Sequence, residues 1–179
     1  MSKKKIATFW LGGCSGCHMS LLDIDERILE VAKLAEIVKS PIVDGKELPE
    51  VDVSLVEGAV CNQEHAEEIR AIRAKSRILV AFGDCAVTAN VPSMRNRFTK
   101  EEALERAYRG VESDDGRGRM PAVEIAPLID RVAPLHEHVK VDYYIPGCPP
   151  SADLIFYVVA ELLNDRVPVL GQGTQLKYG

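Results

Sequence analysis

Four of the five cysteines in this 179-residue chain sit beside glycines: Cys14, Cys17, Cys85 and Cys148. The first two form the pair Cys14-Ser15-Gly16-Cys17, while Cys85 and Cys148 stand alone far down the chain. Four thiolates are the ligand set of one iron–sulfur cluster. Gly12, Gly13 and Gly16 allow the first loop positive φ angles, turning its N–H groups inward. Backbone nests of that kind stabilise anions, bridging sulfides included. Gly83 precedes Cys85 by two residues, Gly147 precedes Cys148 by one, and Pro149 and Pro150 stiffen the last segment. A Cys-Pro pair is familiar in cluster sites.

Other chemistry remains open at this point. A thioredoxin-like pair would use Cys14 and Cys17 and leave Cys85 and Cys148 unexplained. A zinc-stabilised binding module also takes four cysteines, though usually as two close pairs. Cys85 and Cys148 as plain core thiols is a further reading, since cysteine is often buried. The glycine loop as a phosphate or flavin cradle lacks the Lys-Ser/Thr ending of a P-loop.

The elements that would position these thiols are strands. Ile6–Leu11, Val51–Val56, Ile78–Phe82 and Val141–Ile145 read as buried strands, the first and third as nearly continuous apolar runs. Leu21, Ile24, Ile28, Val31 and Ala35 predict a first helix by their 3-4-3-4 spacing. Asn62 caps a second with Ala66, Ile69 and Ile72 as its apolar stripe. Pro149-Pro150-Ser151 opens a last one that buries Ile155, Val158, Val159 and Leu162. The alternation predicts an α/β sandwich on a mostly parallel sheet. The chain is expected to form one domain over 1–179. An insertion at about 90–135 holds a helix capped by Thr99 with Glu102 and a loop at Ser113–Pro121. Leu11, Phe82 and Ile145 end three strands, and a cysteine follows each by three residues. Ligands of open α/β sheets sit outside the carboxyl ends of the strands, so all four cysteines are expected on one edge.

A net charge of −5 argues against a nucleic-acid or anionic-membrane surface. No apolar run nears the ~20 residues of a membrane span. Lys3-Lys4-Lys5 and the apolar stretch before Cys14 imitate a lipoprotein signal. The six-residue run Ile6–Leu11 is too short for that and reads as a strand. A cytoplasmic location is expected, where structural disulfides are rare.

Individual residues carry narrower expectations. Cys61 lacks the shared offset and reads as a buried thiol. Glu57 ends the second strand on the cysteine edge, as a salt-bridged carboxylate or as a proton relay or interface residue. His18 reads as structural, with a hydrogen bond to a sulfide as the alternative. His65, His136 and His138 have no ligand spacing. Arg70, Arg73, Lys75 and Arg77 read as a solvated helix face, and Arg95 and Arg97 as facing a partner.

Taken together, Gly13-Cys14-Ser15-Gly16-Cys17, Glu57-Gly58, Gly83-Asp84-Cys85-Ala86 and Pro146-Gly147-Cys148-Pro149-Pro150 resemble the small subunits of [NiFe]-hydrogenases. More distantly they resemble the cluster subunit of respiratory complex I, which places two ligand cysteines side by side. Ser20–Arg27, Val91–Asn96 and Val141–Ile145 are similar to the small (delta) subunit of soluble NAD-reducing (bidirectional) hydrogenases. The resemblance implies a flavodoxin-like fold with one proximal [4Fe–4S] cluster on Cys14, Cys17, Cys85 and Cys148. It implies electron transfer between a Ni–Fe centre on a large subunit, bound as an obligate heterodimer, and a diaphorase module with FMN and NAD. The signal and two-cluster extension of periplasmic relatives are not seen. Gly16 and Asn90 stand where oxygen-tolerant relatives carry two extra cysteines, and Ala89 stands where glycine is common. A cluster subunit of another hydrogenase or of a complex I relative is the alternative.

Overall fold

The computed structural model describes residues 3–45, 47–112, 118–171 and 176. The chain opens with β1 (Lys4–Trp10), the short helix α1 (Gly16–Leu22), a 3-10 turn (Asp25–Arg27) and α2 (Ile28–Leu34). There follow β2 (Ala35–Lys39), β3 (Val51–Glu57), β4 (Val60–Asn62), α3 (Gln63–Lys75) and β5 (Ser76–Phe82). After α4 (Asp84–Thr88) come a 3-10 stretch (Val91–Arg97), α5 (Lys100–Tyr108), β6 (Leu128–Ala133), β7 (Tyr143–Ile145) and α6 (Ala152–Leu163).

Five strands pair in parallel in the order β2-β1-β3-β5-β7. Counted along the chain this is 2-1-3-4-5, the flavodoxin-like order, whose switch point lies between β1 and β3. Alternation along the strands divides the core between two faces. Ile6, Val53, Leu55, Val80 and Phe82 pack with Ile24, Val31 and the α6 residues Ile155, Val158, Val159 and Leu162. Ala7, Phe9, Val56, Leu79 and Ala81 pack with Ala66, Ile69 and Ile72 of α3. Helices therefore cover both faces, as the sequence predicted.

Caps are where expected. The Asn62 side chain accepts from His65 N, and Thr99 with Glu102 forms a full capping box. Among the described residues no helix is long and apolar enough to cross a membrane.

The helix predicted from Leu21 to Ala35 is broken. Asp25 takes φ +54° between α1 and α2, and Ala35 already begins β2. The 3.6-residue pattern runs unbroken through Ala35 and masks this edge strand, whose Glu36 is exposed. The insertion supplies β6, which pairs antiparallel with β4 as a separate two-stranded ribbon. The first two residues assigned to the last strand, Val141 and Asp142, precede β7. Asp142 still pairs with Leu79, donating to its carbonyl and accepting from its N–H through the carboxylate, both at 2.9 Å. The loop read at Ser113–Pro121 lies in part, 113–117, outside the described residues.

Candidate metal centre

Three strand ends build the cysteine edge. Past β1, Leu11 N donates to Glu57 O at 2.9 Å, and Gly12 and Ala59 exchange both backbone bonds, at 2.9 and 2.8 Å. The loop after β1 is thus drawn down onto the loop after β3. There is no room to spare: a Cβ on Gly12 would lie 2.1 Å from Cys61 Sγ. Ser15 then turns through φ +61°, and Cys17 enters the first turn of α1. Cys85 lies in the first turn of α4, behind Gly83 at φ +86°. First helical turns favour anionic sulfur.

The loops also brace one another. Gly83 N donates to Ile145 O at 2.8 Å, and Asp84 N to Gly147 O at 2.9 Å. The buried Asp84 carboxylate accepts from Gly147 N at 2.7 Å, tying the Cys85 loop to the Cys148 loop. Ser20 Oγ on α1 donates to Pro150 O at 2.5 Å. These braces were not read from sequence, although Asp84 sat in plain view between Gly83 and Cys85.

The half-buried Cys17 and Cys85 feel the charges of their cysteine neighbours. Burial pushes the Cys17 thiol far up, and the charges of Glu57, Cys85, Cys14 and Cys148 push it further. Cys85 rises to about 11, through burial first and then Cys148 and Cys14. A cationic group beside Cys17 and Cys85 would offset that cost. Cys14 and Cys148 are exposed; Cys17 and Cys85 are half-buried.

Cys61 stands apart, half-buried on β4. Its thiol faces Ala59 O at 3.6 Å and is raised by burial against the pull of Arg95. Cys61→Ser is expected to leave any cluster signal in electron paramagnetic resonance intact, at a packing cost of about 1 kcal/mol. A variant set in which Cys61→Ser removes the signal and Cys85→Ser keeps it would invert the ligand assignment.

Glu57 is 2% exposed and His18 4%. Glu57 Oε2 accepts from His18 N at 2.7 Å and meets Nδ1 at 2.6 Å. The other ring nitrogen meets Thr8 Oγ1 at 2.9 Å, and Thr8 reaches Ser40 Oγ at 2.7 Å. His18 is structural, as read, and Glu57 is a paired carboxylate.

Two expectations on basic residues are corrected. Arg70 and Lys75 are exposed on α3 as read, but Arg73 is half-buried, gripping Asp142 at 2.5 Å and the Lys140 carbonyl, and Arg77 belongs to β5, bonded to Asp52 and Asp165. Arg95 turns inward, donating to Ile129 O at 2.7 Å, while Arg97 stays exposed. Ala89 sits at φ +63°, a conformation that glycine takes at no steric cost.

Residues 14–162 match the family described as NADH ubiquinone oxidoreductase, 20 Kd subunit. A subunit of the F420-non-reducing hydrogenase vhu of Methanocaldococcus jannaschii is 44% identical over 93% of this chain and 58% of its own length. The chain thus spans little more than half of the first curated relatives it matches. The delta subunit of the NAD-reducing hydrogenase HoxS of Cupriavidus necator is 41% identical over 92% of this chain and 80% of its own length. A crystal structure of an NAD+-reducing [NiFe]-hydrogenase in the H2-reduced state contains a chain 40% identical to this one. It superposes with a TM-score of 0.93, covering 98% of this chain and 100% of that one. The chain belongs to the NADH ubiquinone oxidoreductase 20 Kd subunit family and stands within it beside the hydrogenase small subunits that its motifs resemble.

Proposed function

We propose that the chain is an electron-transfer subunit of an NAD-reducing [NiFe]-hydrogenase and holds one [4Fe–4S] cluster on Cys14, Cys17, Cys85 and Cys148. The observation that carries the reading is the convergence of the three cysteine loops at the carboxyl edge beside the switch point, braced by the Gly83–Ile145, Asp84–Gly147 and Ser20–Pro150 bonds, with Cys17 raised by burial and by the charges of Cys85, Cys14 and Cys148. The residues fit such a group. Gly83 and Gly16 leave the space that Cys17 and Cys14 need, since a Cβ on either would lie 2.1 or 3.3 Å from the sulfur.

When bound, a cluster of this kind accepts and releases single electrons. The chain's own residues hold the four thiolates, brace the three loops against each other, and half-bury Cys17 and Cys85. The Ni–Fe centre, FMN and NAD belong to partner subunits in this reading: a large subunit docked as an obligate heterodimer, and a diaphorase module. The single domain and the cytoplasmic location remain part of the proposal.

A second reading has its own support. Several similar relatives are subunits of F420-non-reducing hydrogenases, so the same relay would serve a complex with another acceptor. Co-purification separates the two: a flavin- and NAD-binding partner supports the first, its replacement by another acceptor subunit the second.

Metal analysis tests the core of the proposal. Anaerobically purified protein is expected to carry about four irons per chain and little zinc. Two irons, or stoichiometric zinc in colourless protein, would sink it.

A further inference from the structure

The buried chain Glu57–His18–Thr8–Ser40 has no part in ligation, and it begins directly beneath Cys17. We propose that Glu57 and His18 are positioning residues for the cluster, gripping the helix turn that carries Cys17 and holding a fixed carboxylate beside it. This rests on the cluster assignment above.

The geometry is directional. His18 directly follows Cys17 in α1. Its backbone N–H and its ring both reach Glu57 Oε2, at 2.7 and 2.6 Å. Glu57 is the last residue of β3, in register with Trp10 at the end of β1. Thr8, two residues before Trp10, takes the far ring nitrogen. One imidazole therefore joins α1, β1 and β3, the elements at the switch point. All four members of the chain are buried. The Phe82 ring meets the imidazole edge-on, with centroids 5.4 Å apart, and closes the remaining side.

Stability alone does not call for these residue types. A well-packed apolar pair would hold a helix on a sheet as well as a buried ionisable pair, or better. What the polar pair adds is a directed grip on His18 N and a negative charge close to the sulfurs. Bonded to the residue directly after Cys17, the Glu57 carboxylate stands one residue from that sulfur along α1. On the other side of the carboxylate, Oε1 lies 3.6 Å from where a Cβ on Gly13 would be, so the group stands between the His18 turn and the Cys14 loop. A fixed negative charge there makes an added electron less welcome, which sets the cluster potential lower than the four thiolates alone would. Groups that orient metal ligands from behind commonly change metal affinity ten- to a hundredfold.

The test uses the full chain in its purified complex, loaded anaerobically, with Glu57→Gln and Thr8→Val variants. Glu57→Gln keeps the shape and removes the charge. It is expected to retain four irons while its midpoint potential shifts positive and iron loss to a chelator quickens about ten- to a hundredfold. Thr8→Val leaves the carboxylate in place and releases only the far end of the imidazole. It is expected to keep the potential and to lose iron faster than the unaltered protein. An unchanged potential and rate in a loaded Glu57→Gln protein overturns the inference and leaves the cluster assignment standing. If Glu57→Gln fails to fold, Thr8→Val decides, and an unaltered rate of iron loss there overturns the grip. Unaltered protein that takes up no iron removes the cluster assignment and this inference with it.

Discussion

Gly83→Ala is expected to abolish cluster binding in a protein that still folds. Gly83 sits at φ +86° and ψ 151°, a region that only glycine occupies without strain of roughly 1–3 kcal/mol. The collision is worse than the strain, because the new methyl would lie 2.1 Å from Cys17 Sγ and 3.5 Å from Cys17 Cβ. Either Cys17 turns away or the end of β5 moves, and β5 is fixed by the Gly83–Ile145 and Asp84–Gly147 bonds. The thiol is the softer side, so the ligand is lost first. Strain alone lowers the melting temperature by roughly 2–12 °C for a domain of this size. Gly171→Ala is the matched control: its φ is +88°, but among the described residues nothing lies within 4 Å of the added methyl. It is expected to show the strain and keep its iron. Full iron content in Gly83→Ala would mean that Cys17 does not sit where the cluster needs it.

Cys17→Ala is expected to separate electron relay from catalysis. The substitution removes one thiolate from a half-buried position in α1, where Cys17 packs against the rim of the sheet core, and leaves the buried strand residues in place. In the proposed complex, hydrogen-driven NAD reduction should collapse to background, because electrons have no exit from the partner's metal centre. Isotope exchange between hydrogen and heavy water needs no net electron flow and should persist in assembled complex. Co-elution of the large subunit establishes assembly before either assay is read. Undiminished NAD reduction in an assembled variant would exclude the relay. Loss of exchange with the partner's metals intact would show that this chain does more than conduct.

Much of this arrangement is legible in the sequence because its signals are local. Continuous apolar runs mark β1 and β5, Asn62 and Thr99 mark helix starts, and glycine marks each cysteine loop. What escaped the sequence depends on distant partners. His18 and Glu57 are separated by 39 positions, and only the parallel crossover brings them together. Asp142 looked like part of a strand, yet its carboxylate serves Leu79 N and Arg73 in place of a regular ladder. Arg95 looked outward because nothing in its neighbourhood announced the Ile129 carbonyl, 34 residues later, that holds it. The edge strand β2 escaped because a helical period and a half-exposed strand overlap at Ala35.

The 2-1-3-4-5 strand order has a consequence for biosynthesis. The first two cysteines lie before β2, whereas Cys148 follows β7, 131 residues after Cys17. At ribosomal speeds of about 5–20 residues per second, the amino-terminal pair waits roughly 7–26 s for its last companion to be made. No complete site exists on the nascent chain during that interval. In the proposed assembly the iron is delivered only after Cys148 has been made, and until then the early thiols depend on the reducing capacity of their surroundings.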